Sequence, residues 1–373
     1  MAPQDQNTSV GDLESLTEGK APSTTLFRPE PEHDEFSRRT LLKGFAAGSG
    51  LAVATPVGSA LASHNVTSQV AHASVGGRLR EYWIQADSFQ HNLVPTGYDG
   101  MMGDHYTANQ TSFWAIGYRA YTPGWQKPLA GNNDIGLNAG IPGPIIRAEV
   151  GDTIRIHFRN QDTHYKFAHS MHPHGVFYTV NSDASWLAAL PRPSGAVEVG
   201  QSYTYEWIAR PDSVGTWLYH DHSKPQGPKM LMEFGAELGL FGMIAVTDEK
   251  TTAVDQEIFL FFHDLYHDDV PSLSQDFDCF NGYAFVGNTP KFTARVGDRV
   301  RWRIAALGKE FHIFHLHGHR WPFQGRFDDS LVLGPATTRT FEYVEDNPGT
   351  WLYHCHVTDH MMGGMAGLYV VTT

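Results

Sequence analysis

The chain has 373 residues and a formal net charge of −13, with 27 Lys and Arg against 40 Asp and Glu. That balance, with no basic run, argues against a nucleic-acid partner, and 41% hydrophobic content with 18% charge argues against disorder. Two cysteines cannot build a disulfide framework, so the 21 histidines are the excess that needs a use.

The length suits two domains. Gly 37 and Pro 21, set between short Val, Ile, Tyr and Phe runs, favour β-structure with turns. Residues 1–62 read as a leader. The segment up to Phe36 is polar, rich in proline and acidic residues, and expected to be disordered. Ser37-Arg38-Arg39-Thr40-Leu41-Leu42-Lys43 then precedes a weakly apolar run from Gly44 to Leu61. Gly48, Gly50, Pro56 and Gly58 break that run too often for a membrane anchor. Ala60-Leu61-Ala62 fits a cleavage site, which starts the mature chain at Ser63. The pattern resembles a twin-arginine export signal, implying a periplasmic or extracellular protein with no stable membrane insertion after processing.

The mature part opens on a strand, Glu81 to Gln85. A region rich in Gly, Asn and aromatic residues follows, Asn92 to Asn138, read as a long loop or an extra packed hairpin. One unit then occurs twice. Ala148-Glu149-Val150-Gly151-Asp152 leads into a strand from Thr153 to Phe158, and Ala294-Arg295-Val296-Gly297-Asp298 into one from Arg299 to Ile304. Each is followed by H-x-x-H-x-H, at His169, His172 and His174 and at His312, His315 and His317. Gly-Thr-Trp-Leu-Tyr-His comes next in each, Gly215 to His220 and Gly349 to His354. Apolar strands close the copies, Leu240 to Val246 and Ala366 to Val371. The expected organisation is an all-β chain of two antiparallel sandwiches, 63–247 and 257–373, joined by a linker at 248–256, with the insertion 92–138 in the first.

Four H-x-H pairs fall at matching places: His172/His174, His220/His222, His315/His317 and His354/His356. On a strand each pair leaves one face, so eight neutral imidazoles are available for several metal ions. Cys355 leaves the opposite face between His354 and His356. A thiolate followed by His360 and Met365 is the donor set of a blue-copper site. By strand parity His312 turns to the cysteine face, completing the trigonal set His312, Cys355 and His360. Met365 is the axial candidate, with Met361 and Met362 as rivals.

The string H-C-H-x3-H-x4-M, together with H-x-x-H-x-H, resembles the multicopper oxidases, specifically two-domain bacterial laccases, over residues 141–373. The resemblance implies two cupredoxin-like Greek-key domains and four coppers per active unit. His312, Cys355, His360 and Met365 would hold type 1 copper, and His172 and His315 type 2. His174, His220, His222, His317, His354 and His356 would hold the type 3 pair. It also implies a ring homotrimer whose clusters lie between subunits, with dioxygen and a small reducing donor as partners. Tyr178 matches a tyrosine lying near the cluster, and Asp183 an acidic residue that relays protons. The first copy departs from the pattern: His169 keeps the type 1 position, but Asp221 stands where cysteine would be. No mononuclear copper is expected there; His169 reads as structural, and Asp221 as orienting a neighbouring ligand.

The reaction this implies is one-electron oxidation of phenols or aromatic amines coupled to four-electron reduction of dioxygen to water. A weak methionine axial ligand predicts a modest potential and easily oxidised donors. A cuprous or other metal-ion oxidase of the same architecture is the alternative, with Met230, Met232, Met361 and Met362 assisting. Copper nitrite reductase and a non-catalytic electron-transfer cupredoxin fit less well. Cys279 reads as a buried free thiol, while His263 and His267 fit no set.

Overall fold

A strand that reaches a glycine able to adopt positive φ can turn sharply and continue in a second sheet. Both Val-Gly-Asp segments do this in the computed structural model, which describes residues 77–129 and 140–373. Gly151 (φ 100°) links Ile146–Glu149 in one sheet to Thr153–Gln161 in another, and Gly297 (φ 96°) links Phe292–Arg295 to Arg299–Leu307. Asp152 locks the first corner by accepting from the Arg78 and Glu149 amides, each at 2.8 Å.

Four main sheets result, two per copy. In the first copy Ser112–Tyr121, Leu79–Asn92, Thr153–Gln161, Ser202–Ile208 and Phe177–Tyr178 form one sheet. Ile146–Glu149, Phe241–Thr247, Gly215–His220 and His172–Pro173 form its partner. The second copy repeats the arrangement, with Gly349–Cys355 between Ala366–Thr372 and His312–Leu316. The architecture is the all-β, cupredoxin-like one expected, with one correction. The sheets are mixed, not purely antiparallel: Leu79–Asn92 runs parallel to Thr153–Gln161, and Gln256–Leu265 parallel to Arg299–Leu307. The sheet-switching corners bring each strand in beside a neighbour running the same way.

The described part of the insertion is a packed hairpin arm. Ser112–Tyr121 pairs antiparallel with Leu79–Asn92, which extends well beyond the predicted Glu81 to Gln85. Residues 130–138 of the insertion and the whole leader 1–62 lie outside the described residues. The preceding turn docks on the second copy: the Gly100 amide donates to the Val286 carbonyl at 2.8 Å, and the Ala284 amide to Leu93 at 3.0 Å.

Among the described residues the two copies belong to one compact unit and meet through a charged core. Glu257 accepts from Arg303 at 2.6 Å and Arg147 at 2.6 Å, and Arg303 Nη1 reaches Thr216 Oγ1 at 2.8 Å. Burial opposes the Glu257 charge, but Arg303 and Arg147 outweigh it and hold the carboxyl down at about 2. A depressed carboxyl contributes stability above its unfolded value and loses it as pH falls through the folded one. Glu257→Gln is therefore expected to cost about 2 kcal/mol at pH 7, discounted from the buried-pair range because solvent still reaches this carboxylate. Denaturant titration should show wild type and variant converging as pH falls from about 4.5 toward 2. An equal midpoint at pH 7 would show that the arginines are held without Glu257.

Candidate metal centre

Strand register builds the histidine groups. His172 lies opposite His220, and His315 opposite His354, so each H-x-H pair faces a second pair across one ladder. In the first quartet, His172, His174, His220 and His222, the ring centroids lie 5.2–5.6 Å apart. In the second, His315, His317, His354 and His356, they lie 5.1–5.4 Å apart.

The rings are turned for metal binding. His172 Nδ1 donates to the Asp183 carbonyl at 2.5 Å, and His220 Nδ1 to Asp221 at 3.0 Å. In the second quartet His354 Nδ1 donates to the Cys355 carbonyl at 2.9 Å and His315 Nδ1 to Asp329 at 2.9 Å. Each bond fixes the tautomer and leaves Nε2 with a free lone pair. His174 Nε2 stands 3.1 Å from His220 Nε2, and His317 Nε2 stands 3.1 Å from His354 Nε2. That spacing suits two nitrogens each ~2 Å from a shared ion. Burial, reinforced by neighbouring imidazoles, holds His174 and His354 down to about 4. Neutral imidazole at pH 7 is the ligating form.

Cys355 turns to the other face. Its Sγ lies 3.9 Å from His312 Nδ1 and 3.7 Å from His360 Nδ1, and the two nitrogens are 3.2 Å apart. Burial disfavours the thiolate, but hydrogen bonds from His312, His360 and the Ile313 and Val357 amides bring Cys355 down to about 6. A preformed thiolate with two converging imidazole nitrogens fits a soft, redox-active metal. The Met365 side chain is buried; its amide donates to His360 and its carbonyl accepts from Cys355, both at 3.0 Å.

The eight cluster imidazoles do not meet within one chain. Among the described residues, no hydrogen bond or ring contact joins the quartets, and His317 and His356 are exposed. Tyr178 lies beside His172, rings 5.9 Å apart and edge-on. Asp183 accepts from His172 through its main-chain carbonyl, and its carboxylate lies 3.7 Å from the same His172 Nδ1 while also meeting Ser185 and Arg192. Cys279 is a buried free thiol, pushed up by burial. His263 is buried near His312 and accepts from the Gly282 amide, and His267 Nδ1 donates to the Leu273 carbonyl.

Sequence reasoning missed the carboxylates beside the candidate ligands. Asp264 Oδ1 lies 3.5 Å from His312 Nε2, and Glu233 Oε1 lies 3.4 Å from His222 Nε2. Glu233 holds a left-handed backbone (φ 64°), uncommon without glycine, which aims its side chain at the quartet. One cavity of about 130 Å³ is lined by both Glu233 and Asp264. The adjacent pair His263-Asp264 was a visible signal, but only the strand pairing shows which way Asp264 points.

Family models described as multicopper oxidase match residues 122–251 and 263–373. The chain belongs to the multicopper oxidase family. "Ferroxidase HEPHL1" of Homo sapiens is 29% identical over 353 residues, covering 80% of this chain and 30% of that protein. A "Probable nitrite reductase-hydroxylamine oxidoreductase fusion protein" of Kuenenia stuttgartiensis is 32% identical over 250 residues, covering 62% and 27%. The chain thus spans less than a third of the length of these curated relatives. A crystal structure of a multicopper oxidase superposes with a TM-score of 0.58 at 23% identity, covering 79% of this chain and 89% of that one. The multicopper oxidase family binds copper, and the thiolate site and the quartets are this chain's candidate positions for it. No helix among the described residues is long and apolar enough to cross a membrane.

Proposed function

We propose that this multicopper oxidase is laccase-like, oxidising phenols or aromatic amines by single electrons and reducing dioxygen to water. One observation carries the reading: Cys355 closes a thiolate site with His312 and His360 while its two sequence neighbours stand in an imidazole quartet. The type 1 ligands are His312, Cys355, His360 and Met365. His172 and His315 hold type 2 copper, and His174, His220, His222, His317, His354 and His356 the type 3 pair. When bound, copper supplies reversible one-electron chemistry, and four equivalents are needed per dioxygen.

The residues divide the remaining work. His360, half-buried, presents the accessible edge where a small donor delivers an electron. The peptide links from Cys355 to His354 and His356 make a short covalent path to the quartet. Asp183 and Tyr178 flank His172 as proton and electron auxiliaries. The separation of the quartets, with exposed His317 and His356, supports a cluster completed by a neighbouring subunit in a ring trimer. This reading uses cupredoxin domains over 63–247 and 257–373 joined through 248–256, and a twin-arginine-type leader over 1–62 that exports the folded protein.

Similarity to "Ferroxidase HEPHL1" favours a second reading, a metal-ion oxidase of the same architecture. Exposed Met230 and Met232 suit a soft cuprous ion. Oxygen-electrode assays of the copper-loaded protein with a phenol, an aromatic diamine, cuprous ion, ferrous ion or nitrite separate the readings. Fastest uptake with the aromatic donors is expected. Uptake only with the metal ions would replace the laccase reading, and nitrite consumption without oxygen uptake would refute both.

A further inference from the structure

The two copies repeat one hydrogen-bonded frame, and the first copy's version can be aligned bond by bond. The Asp221 amide donates to the Leu240 carbonyl at 3.0 Å, as the Cys355 amide donates to Met365 at 3.0 Å. The Leu240 amide donates to Gly235 at 2.9 Å, as the Met365 amide donates to His360 at 3.0 Å. Together with the matching pairs His172–His220 and His315–His354, these bonds set the equivalences. His169, Asp221, Gly235 and Leu240 stand where His312, Cys355, His360 and Met365 stand in the second copy. Even the amide bond to the thiolate has its counterpart: Ser170 N–H donates to Asp221 Oδ1 at 2.8 Å, and Ile313 N–H to Cys355 Sγ at 3.4 Å.

The contents differ. In the second copy the cysteine sulfur and His312 Nδ1 stand 3.9 Å apart, leaving room for an ion. In the first, Asp221 Oδ2 meets His169 Nδ1 directly at 2.9 Å. His169 Nε2 lies 3.3 Å from Asp162 Oδ2, and all three side chains are buried. Asp162 is itself held by the Tyr165 and Phe167 amides, each at 3.0 Å. Gly235 makes this closure possible, because a Cβ there would stand 2.1 Å from Asp221 Oδ2. The second imidazole has been replaced by the one residue that leaves space for the carboxylate.

We propose that the chain Asp221–His169–Asp162 is a metal-free brace in the place of a mononuclear copper site, and that Asp221 is a positioning residue for the first histidine quartet. Asp221 sits between His220 and His222, and its carbonyl accepts from His220 Nδ1, which fixes the nitrogen that faces the metal. Its Oδ1 also accepts from Ser170 Oγ at 3.2 Å, and that oxygen accepts the His222 amide at 3.0 Å. Ser170 is two residues before His172. Three of the four imidazoles therefore hang from backbone that the brace cross-links. The inference rests on reading this quartet as copper ligands.

The test uses the full-length assembled protein loaded with copper, as Asp221→Asn and as Gly235→Ala. Asparagine removes the charge at nearly constant shape; alanine keeps every polar group and pushes the carboxylate off His169. Both are expected to weaken copper binding at the quartet about 10–100-fold, the usual effect of losing a partner behind a ligand. The type 2 paramagnetic resonance signal should change and the near-ultraviolet band of the coupled pair fall. The blue thiolate absorption from Cys355 should hold even where loss of the buried pairing lowers the melting temperature. Asp162→Asn, which reaches the quartet only through His169, should give a smaller loss. Wild-type copper content and spectra in both main variants would overturn the proposal. So would a joint fall of the blue band and the melting temperature, which would make the brace a folding element alone. A wild-type protein without any cluster signal would instead bring down the ligand reading, and this inference with it.

Discussion

Cys355→Ser is expected to abolish the blue absorption and lower donor-driven oxygen uptake at least ~10³-fold, the scale at which a unit of interdependent groups fails when one is removed. The reason is in the sulfur's setting. Cys355 is fully buried, yet His312, His360 and two amides hold it at about 6, so the thiolate exists at neutral pH without further help. A serine hydroxyl in the same place stays protonated and offers a hard oxygen that redox copper binds poorly. The peptide path to His354 and His356 would survive, but its first bond, from metal to sulfur, would be gone. The histidine quartets are untouched by the change, so paramagnetic resonance should still report their copper. Donor-driven activity above a tenth of wild type would mean that electrons enter the cluster without passing Cys355.

Much of this site is legible in the sequence because strand geometry is rigid. Parity alone puts His354 and His356 on one face and Cys355 on the other, and the repeated Gly-Thr-Trp-Leu-Tyr-His fixes where each pair belongs. What remained hidden depends on contacts between distant strands. Asp264 lies 48 positions before His312, on Gln256–Leu265, and nothing local says that its carboxylate faces that ring. Glu257 reads as an ordinary strand residue until Arg147 and Arg303 converge on it from both copies. Within 92–138 the sequence leaves a long loop and a packed hairpin as equal readings and sets no bounds for Ser112–Tyr121, because Ala115, Ile116 and Tyr118 are all buried, which erases the alternation expected of a half-solvated strand. The eight histidines can be counted from sequence. Whether one chain brings them together cannot, because that depends on how two sandwiches sit against each other.

That last point is open to a quantitative test. If each cluster joins the first quartet of one chain to the second quartet of its neighbour, two inactive variants should rescue each other. One carries His220→Ala and His222→Ala and keeps its own thiolate site and second quartet. The other carries His315→Ala and His317→Ala and keeps its first quartet. Alone, each spoils every cluster it forms. In an equal mixture assembled at random, a junction works only when the intact first quartet meets the intact second quartet of the other variant. That happens with probability one half times one half, so oxygen uptake per chain should recover to about one quarter of wild type, whatever the size of the closed ring. The electron path stays complete in every working junction, because the chain supplying the second quartet also supplies Cys355, His312 and His360. Oxygen uptake of the unfractionated co-expressed mixture would measure it; sequential purification through two affinity tags removes the single-variant rings, so a mixed trimer would then keep one working junction in three. No recovery in mixed assemblies that carry a full blue band would require each chain to close its own cluster, and so a rearrangement bringing His172 and His315 together within one chain.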